Sequence, residues 1–80
     1  MSFRAWYEIT VIGQLTEYWA DWINEITISL ESNQQGKPYT TMRCLVRDQA
    51  QLFGILNQLN NLNLPLLQVT FIRNEGENHG

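Results

Sequence analysis

Eighty residues, 44% of them hydrophobic and 16% charged, allow one domain with one core, because a chain this short buries only about 60% of its unfolded surface. A formal net charge of -3 and a pI near 4.8 oppose the counterion release that drives non-specific binding to nucleic acid and anionic membranes, so neither partner is expected. The single cysteine, Cys44, excludes an internal disulfide, and Met1-Ser2-Phe3-Arg4 lacks a signal-peptide layout, which together predict a cytoplasmic protein. Asn57, Asn60, Asn61 and Asn63 interrupt the longest apolar stretch before it approaches the roughly 18 residues of a membrane span.

Tyr7 to Ile12 alternates and is rich in β-branched and aromatic residues, which predicts a first strand with Tyr7, Ile9 and Val11 on one face. Gly13 ends it. Leu15, Trp19, Trp22 and Ile23 then recur at helical spacing behind Thr16 as N-cap, predicting about two turns of helix. A second strand follows over Glu25 to Glu31, with Ile26, Ile28 and Leu30 on one face and Thr27 and Ser29 on the other. Turn formers from Ser32 to Pro38 lead into a third strand, Thr40 to Val46, with Met42, Cys44 and Val46 inward and Thr41, Arg43, Leu45 and Arg47 outward.

Asp48 is a good N-cap for a second helix. Gln51 completes a capping box, and Leu52, Ile55, Leu56, Leu59 and Leu62 form its apolar stripe. That helix should stop near Leu62, because Asn63 tolerates a left-handed turn, Leu64 can fold back on Leu59, and Pro65 cannot continue the helix. A last strand over Leu66 to Ile72 turns Leu67, Val69 and Phe71 one way and Gln68 and Thr70 the other. The expected domain is therefore 1–72, and residues 73–80, without an apolar side chain, read as a polar tail.

The order predicts an α+β fold: a ferredoxin-like β-α-β-β-α-β chain with a four-stranded antiparallel sheet and two helices on one face. The connection from Gly13 to Asn24 is near the lower limit for a crossover, so the alternative is a β-β-β-α-β sheet in which the Trp segment decorates a hairpin.

Candidates for chemistry are few. His79, the single histidine, stands in the tail, where nothing orients it, and Cys44 falls on the inward face, where a thiol behaves as a small apolar group. Asp21 has no second carboxylate at catalytic spacing. No catalytic set, metal-ligand set or cofactor loop is assembled, so the reading leans away from an enzyme and expects no cofactor. Trp19 and Trp22, with Phe53 and Gly54 of the second helix, could enclose a small-ligand pocket, although large side chains in a short helix more simply cover a core. Gly54 costs about 1 kcal/mol against alanine inside a helix, which predicts that something crosses it closely.

The sheet face away from the helices is expected to carry Trp6, Glu8, Thr10 and Ile12 from the first strand, Thr41, Arg43, Leu45 and Arg47 from the third, and Gln68, Thr70 and Ile72 from the fourth. It is too apolar for plain solvent and too polar for core, which suits a partner surface built on Trp6, Arg43, Leu45, Arg47 and Ile72. The expectation is a non-enzymatic interaction or regulatory module, acting as a homodimer or bound to another protein. A small-ligand sensor is the alternative. Single-stranded RNA binding is disfavoured, because Trp6 is the one outward aromatic and the charge is acidic.

Asp48-Gln49-Ala50, then Leu52, Gly54, Leu56 and Leu59, and Leu64-Pro65-Leu66-Leu67-Gln68-Val69, preceded by Trp19-Ala20-Asp21-Trp22, resemble a family of small uncharacterised bacterial proteins over roughly Tyr7 to Val69. Asn63 stands where that pattern has a glycine, and the resemblance implies no activity. The helix and strand are also similar, as an analogy of fold, to ACT-type regulatory domains, which bind small effectors at a dimer seam. Here the aspartate precedes the second helix instead of the first, and no ligand-loop glycine follows it.

Overall fold

The structure, a computed structural model, describes residues 4–15 and 25–74. Strand β1 spans Ala5–Ile12, β2 Ile26–Ser32 and β3 Pro38–Val46, helix α1 spans Gln49–Asn61, and β4 spans Leu66–Asn74. The strands form one antiparallel sheet in the order β2-β3-β1-β4. It follows from the pairing that β1 and β2 run the same way with β3 between them, and that β3 and β4 run the same way with β1 between them.

The α+β class holds, with one helix among the described residues and not the two expected of a ferredoxin-like arrangement. The first expected helix falls almost wholly on residues 16–24, outside the described ones. The described elements run β-β-β-α-β, the order of the alternative, yet the hairpin it assumed between the first two strands is absent, because β3 is inserted between them. Arg73 and Asn74, assigned to the tail from their polarity, continue β4 and pair with Trp6 and Ala5. Backbone pairing is indifferent to side-chain polarity, so the strand runs on where the apolar pattern stops.

Alternation sets the core. Ile9 and Val11 of β1, Met42, Cys44 and Val46 of β3, Leu15, and Ile55 and Leu59 of α1 are buried together, with Tyr7, Ile26, Ile28, Leu52, Leu64 and Val69 packed around them. Thr40 is buried among these apolar groups because both its hydrogen-bonding capacities are used: its Oγ1 donates to the Gly13 carbonyl at 2.7 Å and accepts from the Leu15 N–H at 3.3 Å. This one side chain ties the end of β1 to β3.

Both ends of α1 are built as their residues require. The Gln51 N–H donates to Asp48 Oδ1 at 2.8 Å, and the Gln51 side-chain oxygen accepts from the Arg47 N–H at 2.6 Å, one residue before the usual capping-box donor. At the other end Asn63 takes φ 61, the Leu64 N–H donates to the Leu59 carbonyl at 3.1 Å, and the Asn63 N–H donates to the Asn60 carbonyl at 3.0 Å. That pair of bonds is a Schellman motif. It delivers Leu64 onto Gly13, where φ is +108 and a Cβ would stand 2.8 Å from Leu64 Cδ2. The Ile12 N–H donates to the Pro65 carbonyl at 2.9 Å, fixing the start of β4 beside the end of β1.

Beyond its own helix turn, no atom of the described residues would lie within 4 Å of a Cβ built at Gly54, and the expected close neighbour, the Trp segment or another subunit, lies outside them. Gly54→Ala should therefore stabilise the fold by about 0.5 to 1 kcal/mol through helix propensity, read as an upward shift of the urea midpoint. Asp48→Ala should act the other way, losing about 1 kcal/mol and lowering Tm by roughly 4 to 8 °C in a thermal melt.

Candidate interaction surface

The sheet face opposite α1 carries a row of cross-strand pairs. Glu8 of β1 stands opposite Arg43 of β3, and Arg43 Nε donates to Glu8 Oε2 at 3.3 Å. Both groups are solvated, so the pair contributes at most about 1 kcal/mol and serves mainly to neutralise the centre of this face. Thr10 and Thr41 are opposite each other with their hydroxyl oxygens 3.4 Å apart. At the far edge the Tyr39 hydroxyl donates to Glu31 Oε1 at 3.0 Å, and this hydrogen bond to a carboxylate raises the phenol's pKa above its ordinary value.

Trp6 is half-buried and has Arg73 of β4 against it, the guanidinium carbon 5.7 Å from the ring centroid, within cation–π range. Trp6 pairs with Arg73 on one side and with Leu45 on the other. Of the five residues expected to form the partner surface, Trp6, Arg43, Arg47 and Ile72 retain exposed or half-exposed area, whereas Leu45 is 8% exposed. A strand position opposite tryptophan is shielded by its larger neighbour even on an outward face, so Leu45 supports this surface from below.

Of the expected ligand pocket, Trp19 and Trp22 lie outside the described residues. Phe53 is 59% exposed on the flank of α1, and beside it Gly54 has no described residue outside its own helix turn close by. A groove lies elsewhere, between the N-terminal end of α1 and β4. It has a volume of about 570 Å³ and is lined by Tyr7, Val46, Asp48, Leu52, Phe71 and Asn74 among others. The Tyr7 and Phe71 rings meet edge to face in its wall, with centroids 5.7 Å apart at 74°.

The feature that pattern reading missed is the exposure of β4 on the helix side. Phe71 shares the face of Val69, as expected, yet it is 52% exposed; the register shift sets Leu66 opposite Val11 and leaves Leu67 in the bulge, and these two are 50% and 56% exposed. The buried residues of α1, Ile55 and Leu59, close on β1 and β3 and leave these side chains half in water. The register between β1 and β4 shifts at Thr10/Val11 and again at Trp6/Tyr7, so a bulge interrupts each end of β4 and leaves a regular stretch over 68–71. No group of His, Cys, Asp and Glu among the described residues could hold a metal ion, and none of the described helices is long and apolar enough to cross a membrane.

Cys44 is fully buried, and burial pushes its thiol from an ordinary 9.0 up to about 11. At pH 8 the folded protein should react with a thiol reagent about 100-fold more slowly than the urea-unfolded chain, followed by absorbance. Because the folded-state pKa is the higher one, the stability this neutral thiol contributes is complete below pH 9 and lost between about 9 and 11.

No curated protein and no solved structure matches the chain. A family model described as a domain of unknown function (DUF8691) matches residues 6–70, from the Trp6 that carries the Arg73 contact to the Thr70 in the regular centre of β4. With most of its length matched, this chain belongs to that family.

Proposed function

We propose that the chain is a non-enzymatic protein-interaction module that acts as a homodimer, associating through β4 and the strip of open sheet beside it. The observation that carries this reading is the exposure of Leu66, Leu67, Phe71 and Ile72, the last at 39%, all on one edge strand. An edge strand offers unpaired backbone N–H and C=O groups, and soluble monomers usually blunt such an edge with lysine, proline or an inward charge. From Leu66 to Ile72, β4 carries no charge at all. Trp6 and Ile72 flank the edge on the open face. Arg43 and Arg47 belong to β3 and its exit, one strand further in, and form the rim. The ferredoxin-like plan is part of this proposal, supported by parallel β1 and β2 on either side of β3, and it leaves β4 as an outer strand.

A small-ligand sensor is the second reading, favoured by the groove at Tyr7, Leu52 and Phe71. It places a ligand against β4, between Phe71 and the N-terminal end of α1.

The native mass, measured by light scattering after size exclusion, separates these readings. An apolar interface should give twice the 9.4 kDa of the chain at both low and high salt, since screening weakens charge contacts and not apolar ones. Phe71→Glu should return the mass to that of one chain with unchanged circular dichroism, and Arg43→Glu should leave the dimer intact. A single-chain mass at every concentration overturns the homodimer.

A further inference from the structure

The chain's positive charge is gathered, not spread. Of its 5 cationic residues, Arg4, Arg43, Arg47 and Arg73 stand toward one end of the sheet, while Lys37 lies just before β3 at the other end. Arg4 and Arg47 flank the Ala5–Val46 pair that ends the β1–β3 ladder, and Arg73 pairs with Trp6 across β1 and β4. Alternation along β1 and β3 sets Arg4 on the face of Trp6 and Arg47 on the face of Arg43, and all four arginines are exposed. Strand spacing and rise place them within about 13 by 10 Å, around Trp6 and Leu45. We propose that this end of the open sheet face binds an acidic peptide segment of another protein.

Like charges this close destabilise the free chain, and carboxylates of a partner relieve that repulsion. Glu8 answers Arg43 through its Nε, whereas Arg4 and Arg47 have no ion pair among the described residues. Several of the arginines are already positioned. Arg73 stands against the Trp6 ring, Arg43 is held by Glu8, and the backbone at Arg47 is fixed by its N–H bond to Gln51, so less freedom is lost when carboxylates engage their guanidinium groups. A second copy is a poor occupant, because its described carboxylates are dispersed: Glu8 on Arg43, Glu31 on the Tyr39 hydroxyl, Asp48 at the helix cap and Glu25 before β2. Nucleic acid fits less well than a short acidic peptide. Its affinity grows with the number of phosphates neutralised, and a chain of net charge -3 repels a polyanion beyond this small patch. This proposal stands apart from the homodimer reading, since β4 pairs through its edge and the arginines lie on the face.

The test titrates the full chain into a fluorescein-labelled peptide of about eight residues, glutamate alternating with serine so that an extended peptide turns its carboxylates one way, and follows anisotropy. Saturable binding that weakens as salt rises is expected. Arg47→Glu and Arg73→Glu should each lower the affinity about ten-fold or more with unchanged circular dichroism, whereas Lys37→Glu, the same change of net charge at the other end of β3, should change it less than about two-fold. Absence of saturation in every form of the chain overturns the proposal, as does an equal loss in Lys37→Glu and Arg47→Glu, which would report net charge alone. Tighter binding of an oligothymidine of equal charge overturns it in favour of nucleic acid. Binding that emerges only when Glu75→Gln and Glu77→Gln are introduced together assigns the arginines to the chain's own carboxylates and overturns it as well. None of these results depends on the native mass, so this proposal and the homodimer fail separately.

Discussion

The one helix among the described residues can cover only so much sheet. Helix α1, with 13 residues, is about 20 Å long and 10 Å wide, and strands lie about 4.8 Å apart, so it shields little more than two of the four. It lies over the central pair, where Ile55 and Leu59 close on Ile9, Val11, Met42 and Cys44. The properties of the rest of the molecule follow from that choice. The inward faces of the central strands are dry and their cysteine is held neutral, while Leu30 of β2 and Leu67 and Phe71 of β4 keep half or more of their area in water.

The two edges of the sheet are not equivalent. Strand β2 has Thr27, Ser29 and Glu31 on its open face and ends in a polar loop that Asn33 closes through its side-chain oxygen, accepting from the Gln35 and Lys37 N–H groups at 2.8 and 2.9 Å. Such an edge is solvated and ill suited to pairing. Strand β4 is longer, uncharged over most of its length, and straight only in its middle. Its bulges limit any added strand to a short register, which favours a partner that matches those few residues over indiscriminate stacking.

How much of this was legible in the sequence divides along one physical line. Local rules read well: Asp48, Gln51, Asn63, Leu64 and Pro65 specify both ends of α1 within a few bonds, and the two-residue period assigns Ile9, Val11, Met42, Cys44 and Val46 to the inward face. Alternation says which side a residue takes and nothing about what lies over it. Leu45 is outward and buried, whereas Phe71 is inward and wet. Thr40 shows the same gap, because its burial depends on a carbonyl and an N–H that belong to β1's exit, some 25 residues earlier in the chain. The cost of Gly54 points to a close neighbour, and propensity reports only that penalty, not which residue lies there.

The position of β1 has a consequence for synthesis. It precedes the other described strands in the chain and is an inner strand of the sheet, paired with β3 on one side and, through Ala5 and Asn74, with the last described residue on the other. At about 5 to 20 residues per second, ribosomal elongation separates β1 from β4 by several seconds. During that interval Ile9 and Val11 have no second neighbour, and the edge of β1 that β4 will occupy is open to any other nascent copy. The apolar strand β4 is therefore also the one that closes this open edge of β1.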